Sequence, residues 1–308
     1  MPELPEVEHV VRALRRAVVG RTIIASEIKL PKLISPTSVS SFKRKIKGSS
    51  ITGVSRRGKF ILLELDGDGT VRDDRASDSG PPARRALVLA VHLRMTGAFL
   101  YLNADDELPK HSHAIFYFDN DRRLVFRDQR QFGVMKLVPA AQLAGLKGIA
   151  ELAPEPFTDD FNFDYLKGVL KRSQRSLKTL LLDQTKVLGL GNIYAAEALF
   201  RAGISPFKPA SKLSKQRVVL LHEAIKEVLE FAVAHIRGGF NLEAGVSYGE
   251  AFERFWQVYE REGEPCVNCG TGLSVRHREG AQRIGVRSVS GGRHPQISQI
   301  RPAKAGCE

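Results

Sequence analysis

Cysteine is scarce in this chain: three in 308 residues, two of them spaced as Cys266-x-x-Cys269. A low, odd count argues against a disulfide framework of the kind that staples small secreted domains. A reducing cytoplasm is the expected compartment. Long apolar runs are missing too. No stretch of 18 apolar residues offers a transmembrane helix, so no membrane partner is expected. The opening, MPELPEVEHV, is acidic and lacks the basic and apolar regions of a secretory signal. Internal repeats are absent. Acidic residues are outnumbered, 34 against 47 lysines and arginines, which leaves a net charge of +13. A surface of that sign attracts phosphate backbones or anionic membranes, and counterion release tightens the first partnership at low salt. With 43% hydrophobic residues the chain can build real cores, and its length favours two domains over one.

The first segment reads as a helix with Pro5 in its first turn and Glu6 and Glu8 at its positive end. Val7, Val10, Val11, Leu14 and Val18 share one face, and Gly20 marks the stop. From about 22 to 138 the texture is β-prone, in the runs 51–65, 86–102, 114–119 and 122–128. Strands that close together suggest an antiparallel sandwich or barrel. The stretch 66–85, rich in Gly, Asp, Ser and Arg, reads as a mobile loop. After Pro139 helical patterns cover 140–146, 159–172, 176–183, 193–203 and 212–237. The helix at 193 follows Gly189-Leu190-Gly191-Asn192, a turn that delivers backbone N–H groups to a helix start suited to phosphate.

Pro2 carries the most distinctive chemistry. With Met1 removed, its ring nitrogen is a terminal secondary amine, and α-amino groups titrate near ~8 rather than the ~10.4 of lysine. Attack of such an amine on a sugar C1′ yields an iminium, an electron sink that labilises neighbouring bonds. Glu3 and Glu6 lie beside it, one able to move a proton and the other to hold geometry. An ordinary helix start with an acidic first turn has the same residues, so chemistry alone leaves both readings open.

MPELPEVE resembles the opening of formamidopyrimidine-DNA glycosylases, a family similar to the endonuclease VIII group. RRGKFILLEL, HLRMTG, KHSHAIF, DQRQFG, LAPEPF, LLLDQ, GLGNIYAAEALFRAGISP and VYEREGEPCVNCG follow in the family's order up to about residue 283. The resemblance implies an α+β fold: an N-terminal catalytic β-sandwich flanked by helices (1–139), a helical DNA-binding lobe with a helix–two-turn–helix (140–260), and a finger segment with tail (261–308). It implies Pro2 as Schiff-base nucleophile, Glu3 as proton donor and acceptor, Glu6 as support, and Lys59 as the residue that reaches the scissile phosphate from a strand. Met95, Arg130 and Phe132 would fill the gap left by an everted nucleotide, since apolar and planar groups can restack it. Buried core is the competing reading for Met95 and Phe132. His111, Arg172, Lys178, Asn192 and Tyr194 would grip the backbone, and 238–252 would close over the base.

The match breaks at the finger. The family usually ends in four zinc-binding cysteines, but after Cys266 and Cys269 the second pair is absent. Four soft ligands make a closed structural site and two do not. His277, His294 and Cys307 have irregular spacing for substitutes, so a metal-free finger is the expectation. Arg283 matches the finger arginine that supports the final elimination. Gln131 stands where the family often has a basic residue, and 66–85 is an insertion. The reading implied is a monomeric bifunctional glycosylase and abasic-site lyase acting on double-stranded DNA with oxidised purines, with no cofactor required for chemistry. An oxidised-pyrimidine enzyme, a non-catalytic binder of damaged DNA and a zinc-ribbon regulator are the alternatives.

Overall fold

The β-prone texture from 22 to 138 resolves into eight strands in the computed structural model, which describes residues 2–67, 85–235, 242, 256–273, 275–278 and 281–285. They are β1 (Ile23–Ile28), β2 (Ser50–Arg57), β3 (Phe60–Gly67), β4 (Arg85–His92), β5 (Gly97–Asn103), β6 (Ser112–Phe118), β7 (Arg122–Asp128) and β8 (Val134–Pro139). Two antiparallel sheets form, ordered β1-β6-β7-β5 and β2-β3-β4-β8. Phe42, Phe99, Phe116 and Phe126 help fill the space between them.

The run 86–102 is two strands, broken where Leu93 accepts the Gly97 N–H in a tight turn. Likewise 51–65 is the β2–β3 hairpin. Alternation is weak in β4 because both of its faces are covered. Leu87, Leu89 and Val91 enter the sandwich core, while Val88 and Ala90 pack beneath Leu143, Leu146 and Ile149. Apolar residues therefore occupy both phases of the period-two pattern. The helix expected at 140–146 is a 3-10 turn, Ala140–Gly145. Helix α2 (Val39–Ile46), capped by Ser38, has no counterpart in the sequence reading and packs Phe42 and Ile46 into the sandwich.

The first helix, α1 (Leu4–Val18), matches its expected extent, with Gly20 at φ 81° just beyond it. The helical lobe contains α3 (Phe163–Lys171), α4 (Leu177–Leu181), α5 (Asn192–Arg201) and α6 (Lys215–His235). Two successive turns between α4 and α5 complete the helix–two-turn–helix. A short antiparallel pair, β9 (Val275–Arg278) and β10 (Ala281–Gly285), follows, with β10 against α5. Helix α1 serves both cores: Val7 to Val18 pack in the sandwich, but Leu4 is buried among Leu181, Leu190 and Tyr194 of the helical lobe. No described helix is long and apolar enough to cross a membrane.

Candidate active site

The junction of α1 with α5 places the N-terminal residues. Pro2 is buried directly ahead of Glu3, which caps α1. The Leu4 N–H donates to the Gly189 carbonyl at 3.1 Å, fixing the chain start against the glycine turn. Glu3 is 2% exposed, and its carboxylate accepts from the N–H groups of Gly191 (2.5 Å), Ile193 (2.9 Å) and Tyr194 (3.3 Å). The sequence reading gave this helix start to a phosphate. The structure gives it to Glu3, because the positive end of α5 is closed over by the carboxylate of α1. Gly191 permits the approach, since a Cβ there would sit 2.4 Å from the Glu3 carboxyl.

Around Glu3 lies a buried ring of ionisable groups. Glu6 accepts from the Glu3 N–H at 2.7 Å and from the Tyr194 hydroxyl at 2.7 Å. Burial, and then the charge of Glu3, push the Glu6 carboxyl up to about 7. Lys59 donates to the Leu190 carbonyl at 2.7 Å; burial lowers its pKa, opposed by Glu3 and Glu6. Burial likewise takes Lys178 down to about 8, partly offset by Glu3.

Three of the expected site residues meet here. Lys59 sits in the β2–β3 turn rather than on a strand, and it faces the carboxylates. Lys178 is 1% exposed and feels the charge of Glu3. Tyr194 is 2% exposed and donates its hydroxyl to Glu6. Asn192 opens α5.

The Glu6 shift has a consequence for stability. A carboxyl whose folded pKa is raised stabilises the fold fully below its unfolded value near 4.5, and that contribution is lost as pH rises through about 7. Glu6→Gln is therefore expected to flatten the fall in melting temperature between pH 5 and 8. The stability at stake is on the order of 3 kcal/mol, and thermal unfolding of both proteins across that range measures it. Parallel curves would refute the assignment.

A second group forms the rim. Asp128, 1% exposed at the end of β7, accepts from the Thr96 hydroxyl and, at 2.7 Å, from the Gly133 N–H. Thr96 in turn accepts the Arg130 N–H at 3.0 Å. The turns carrying Met95 and Arg130–Phe132 are thus tied together. Phe132 is 51% exposed with the Arg130 guanidinium 4.9 Å over its ring, which excludes the core reading; Met95 is half-buried. His111 is exposed on the same edge, its carbonyl accepting from Asp128, and Arg172 is exposed at the end of α3.

Sequence reasoning missed Asp128 and Thr96, although an acid closing an apolar strand just before a turn is a usable signal. It also missed His92. Burial, then Arg94 and Lys59, push that imidazole down to about 3, and it lies edge-on to Phe60 at 4.8 Å. The side chain of Arg283, and the segment 238–252 except Leu242, lie outside the described residues. So does most of the 66–85 insertion.

Cys266 is buried with Ala196, Val258 and Leu273, while Cys269 is exposed. Among the described residues no three metal-ligating side chains come together. Among the described residues Cys266 and Cys269 supply two soft donors, half of a closed zinc site's four.

Two family models match the chain: the formamidopyrimidine-DNA glycosylase N-terminal domain over residues 1–135 and its helix–two-turn–helix domain over 152–243. The curated formamidopyrimidine-DNA glycosylase of Pelotomaculum thermopropionicum is 42% identical, covering 90% of this chain and 94% of its own. That of Bacillus subtilis is 40% identical, with 89% and 93% covered. The chain belongs to the formamidopyrimidine-DNA glycosylase family. It is a DNA glycosylase of base excision repair and an abasic-site lyase. Among solved structures, the Lactococcus lactis Fpg in complex with DNA containing N7-benzyl-Fapy-dG superposes with a TM-score of 0.79 at 31% identity, covering 93% of this chain and 98% of that one. The same protein with abasic-site DNA gives 0.79 over 92% and 97%, also at 31% identity.

Proposed function

We propose that this glycosylase excises oxidised purines, 8-oxoguanine and formamidopyrimidines, from double-stranded DNA through a Schiff base at Pro2. The observation that carries the reading is the seat of Glu3: one residue after the amine, a carboxylate is locked on three N–H groups with Lys59 and Glu6 beside it. The free ring nitrogen attacks C1′ of an everted nucleotide, and the base departs with the glycosidic electron pair. Glu3 moves the proton that opens the sugar ring, leaving an iminium between Pro2 and C1′. Loss of a C2′ proton expels the 3′ phosphate, and a second elimination expels the 5′ phosphate. Glu6, held by Tyr194, keeps Glu3 in register.

Lys59 steadies the phosphate that leaves. Met95, Arg130 and Phe132 occupy the gap in the duplex; an exposed aromatic stacked under a guanidinium is suited to restacking bases. His111, Arg172 and Asn192 contact the backbone, and Lys178 acts from inside the ring. Arg283 assists the second elimination from β10. The finger works without zinc, and the protein acts as a cytoplasmic monomer.

Single-turnover nicking of duplexes with one 8-oxoguanine, formamidopyrimidine, oxidised pyrimidine or abasic site tests the reading. The two purine lesions are expected to react at least about tenfold faster than the pyrimidine, a difference of about 1.4 kcal/mol in barrier. The pyrimidine arm is included because the Lactococcus lactis protein has been solved with DNA containing an oxidised pyrimidine. A zinc chelator should leave every rate unchanged. A faster pyrimidine reaction would reverse the substrate assignment, and loss of activity on chelation would restore the metal.

A further inference from the structure

Glu155 belongs to the connector between the lobes, away from the residues that surround Glu3, yet three donors from the β2–β3 hairpin meet on its carboxylate. Oε1 accepts from the Gly58 N–H at 2.6 Å and from Arg57 at 3.4 Å, and Oε2 accepts from Arg56 at 2.6 Å. Arg56 also reaches Glu8 of α1 at 2.9 Å, so the same carboxylate is linked to the helix that carries Glu3 and Glu6. Charge-assisted bonds of this length are the strong ones.

The contacts close into a loop that returns to Lys59. Arg57 donates to the carbonyls of Leu152 (3.1 Å) and Ala153 (2.8 Å). Ala153 donates to the Gln184 carbonyl at 3.0 Å, and the Gln184 amide donates to Leu190 at 2.8 Å. Leu190 is the carbonyl that also receives Lys59. Gly58 has φ 56°, and a Cβ on it would lie 2.5 Å from Leu188, so the hairpin turn is pressed against the glycine turn of the helical lobe. With the turn so confined, the position of its backbone decides where the next side chain, Lys59, ends.

We infer that Glu155 is a positioning residue for the reaction at Pro2, acting through Lys59: it anchors the Arg57–Gly58 turn so that the ammonium is delivered to Leu190 beside Glu3. Without it, Arg56 and Arg57 share no anion and repel, the Gly58 N–H loses its acceptor, and Lys59 drifts from the carboxylates. The inference rests on the proposed chemistry at Pro2.

The test is a double-mutant cycle on an abasic-site duplex, comparing wild type, Glu155→Ala, Lys59→Met and the double variant. Single-turnover nicking and duplex affinity are measured for each. Glu155→Ala is expected to slow nicking between about tenfold and a hundredfold, the scale of a displacement of about 1 Å at a reacting group, with affinity within about twofold of wild type. In the Lys59→Met background the same change should cost less than about twofold more, because residues acting as a unit are not additive. Glu155→Gln keeps an acceptor for Gly58, should recover part of the rate, and carries the same cycle if Glu155→Ala does not fold.

Full additivity in the double variant, a parallel fall in affinity and rate, or an unchanged rate in Glu155→Ala would overturn the inference. A wild-type protein that leaves no covalent adduct on borohydride treatment would instead overturn the chemistry at Pro2.

Discussion

A chain that keeps Met1, or carries an acetyl group on Pro2, is expected to leave no borohydride-stable adduct with abasic-site DNA. Nicking should fall by at least about 10³-fold while duplex binding stays within about twofold. In either form the Pro2 nitrogen becomes a peptide-type amide, its lone pair is delocalised into the carbonyl, and it cannot form an iminium. The ring that serves the amine is untouched, because Glu3 is held by Gly191, Ile193 and Tyr194 rather than by Pro2. Pro2→Gly keeps an amine at the same position and should trap DNA in lower yield. Mass spectrometry of the terminus beside the trapping gel measures both. An adduct of normal yield from the acetylated protein would move the nucleophile elsewhere.

Gly191→Ala should have the second-largest effect, without altering any ionisable group. The added methyl would lie 2.4 Å from the Glu3 carboxyl, far inside contact distance, so the carboxylate must leave its seat. The backbone of Gly191 is extended (φ −129°), so alanine brings crowding but no conformational strain. Base release in a single turnover is expected to fall at least about a hundredfold, in line with the sensitivity of aligned groups to displacements of about 1 Å. Overpacking of this kind costs about 1–3 kcal/mol of stability, so the protein should remain folded, as circular dichroism and thermal melting will show. A folded variant with activity within threefold of wild type would mean that the three N–H groups are not what aligns Glu3.

Much of this site was legible in the chain because its parts lie in local patterns. Pro5 and the valine spacing gave α1, and with it the neighbours of the terminal amine. Glycine followed by a helical run gave α5. What the chain could not reveal is which distant groups meet. An exposed anion and the carboxylate of Glu3 are equally good partners for a helix start, and only the packing of α1 on α5 chooses between them.

The same holds for Lys178 and Tyr194, whose burial depends on a core shared by residues far apart. Strand boundaries were blurred where sheets are covered on both sides, as in β4, since no polar residue marks an outer face. Asp128 opens the motif DQRQFG and holds Gly133 at its other end, but it escaped notice because its work is to fasten that turn to Thr96, 32 residues away. Short helices such as α2 carry too few turns for periodicity to stand out within a β-rich stretch.

The seat of Glu3 also bears on how the protein is made. Synthesis begins at the amine, but the three N–H groups that align its neighbour belong to residues 191–194, close to two-thirds of the way along the 308-residue chain. A chain cut short of that point has the terminal proline but none of the N–H groups that seat Glu3. The seat is therefore complete only once the helical lobe has folded onto the first helix.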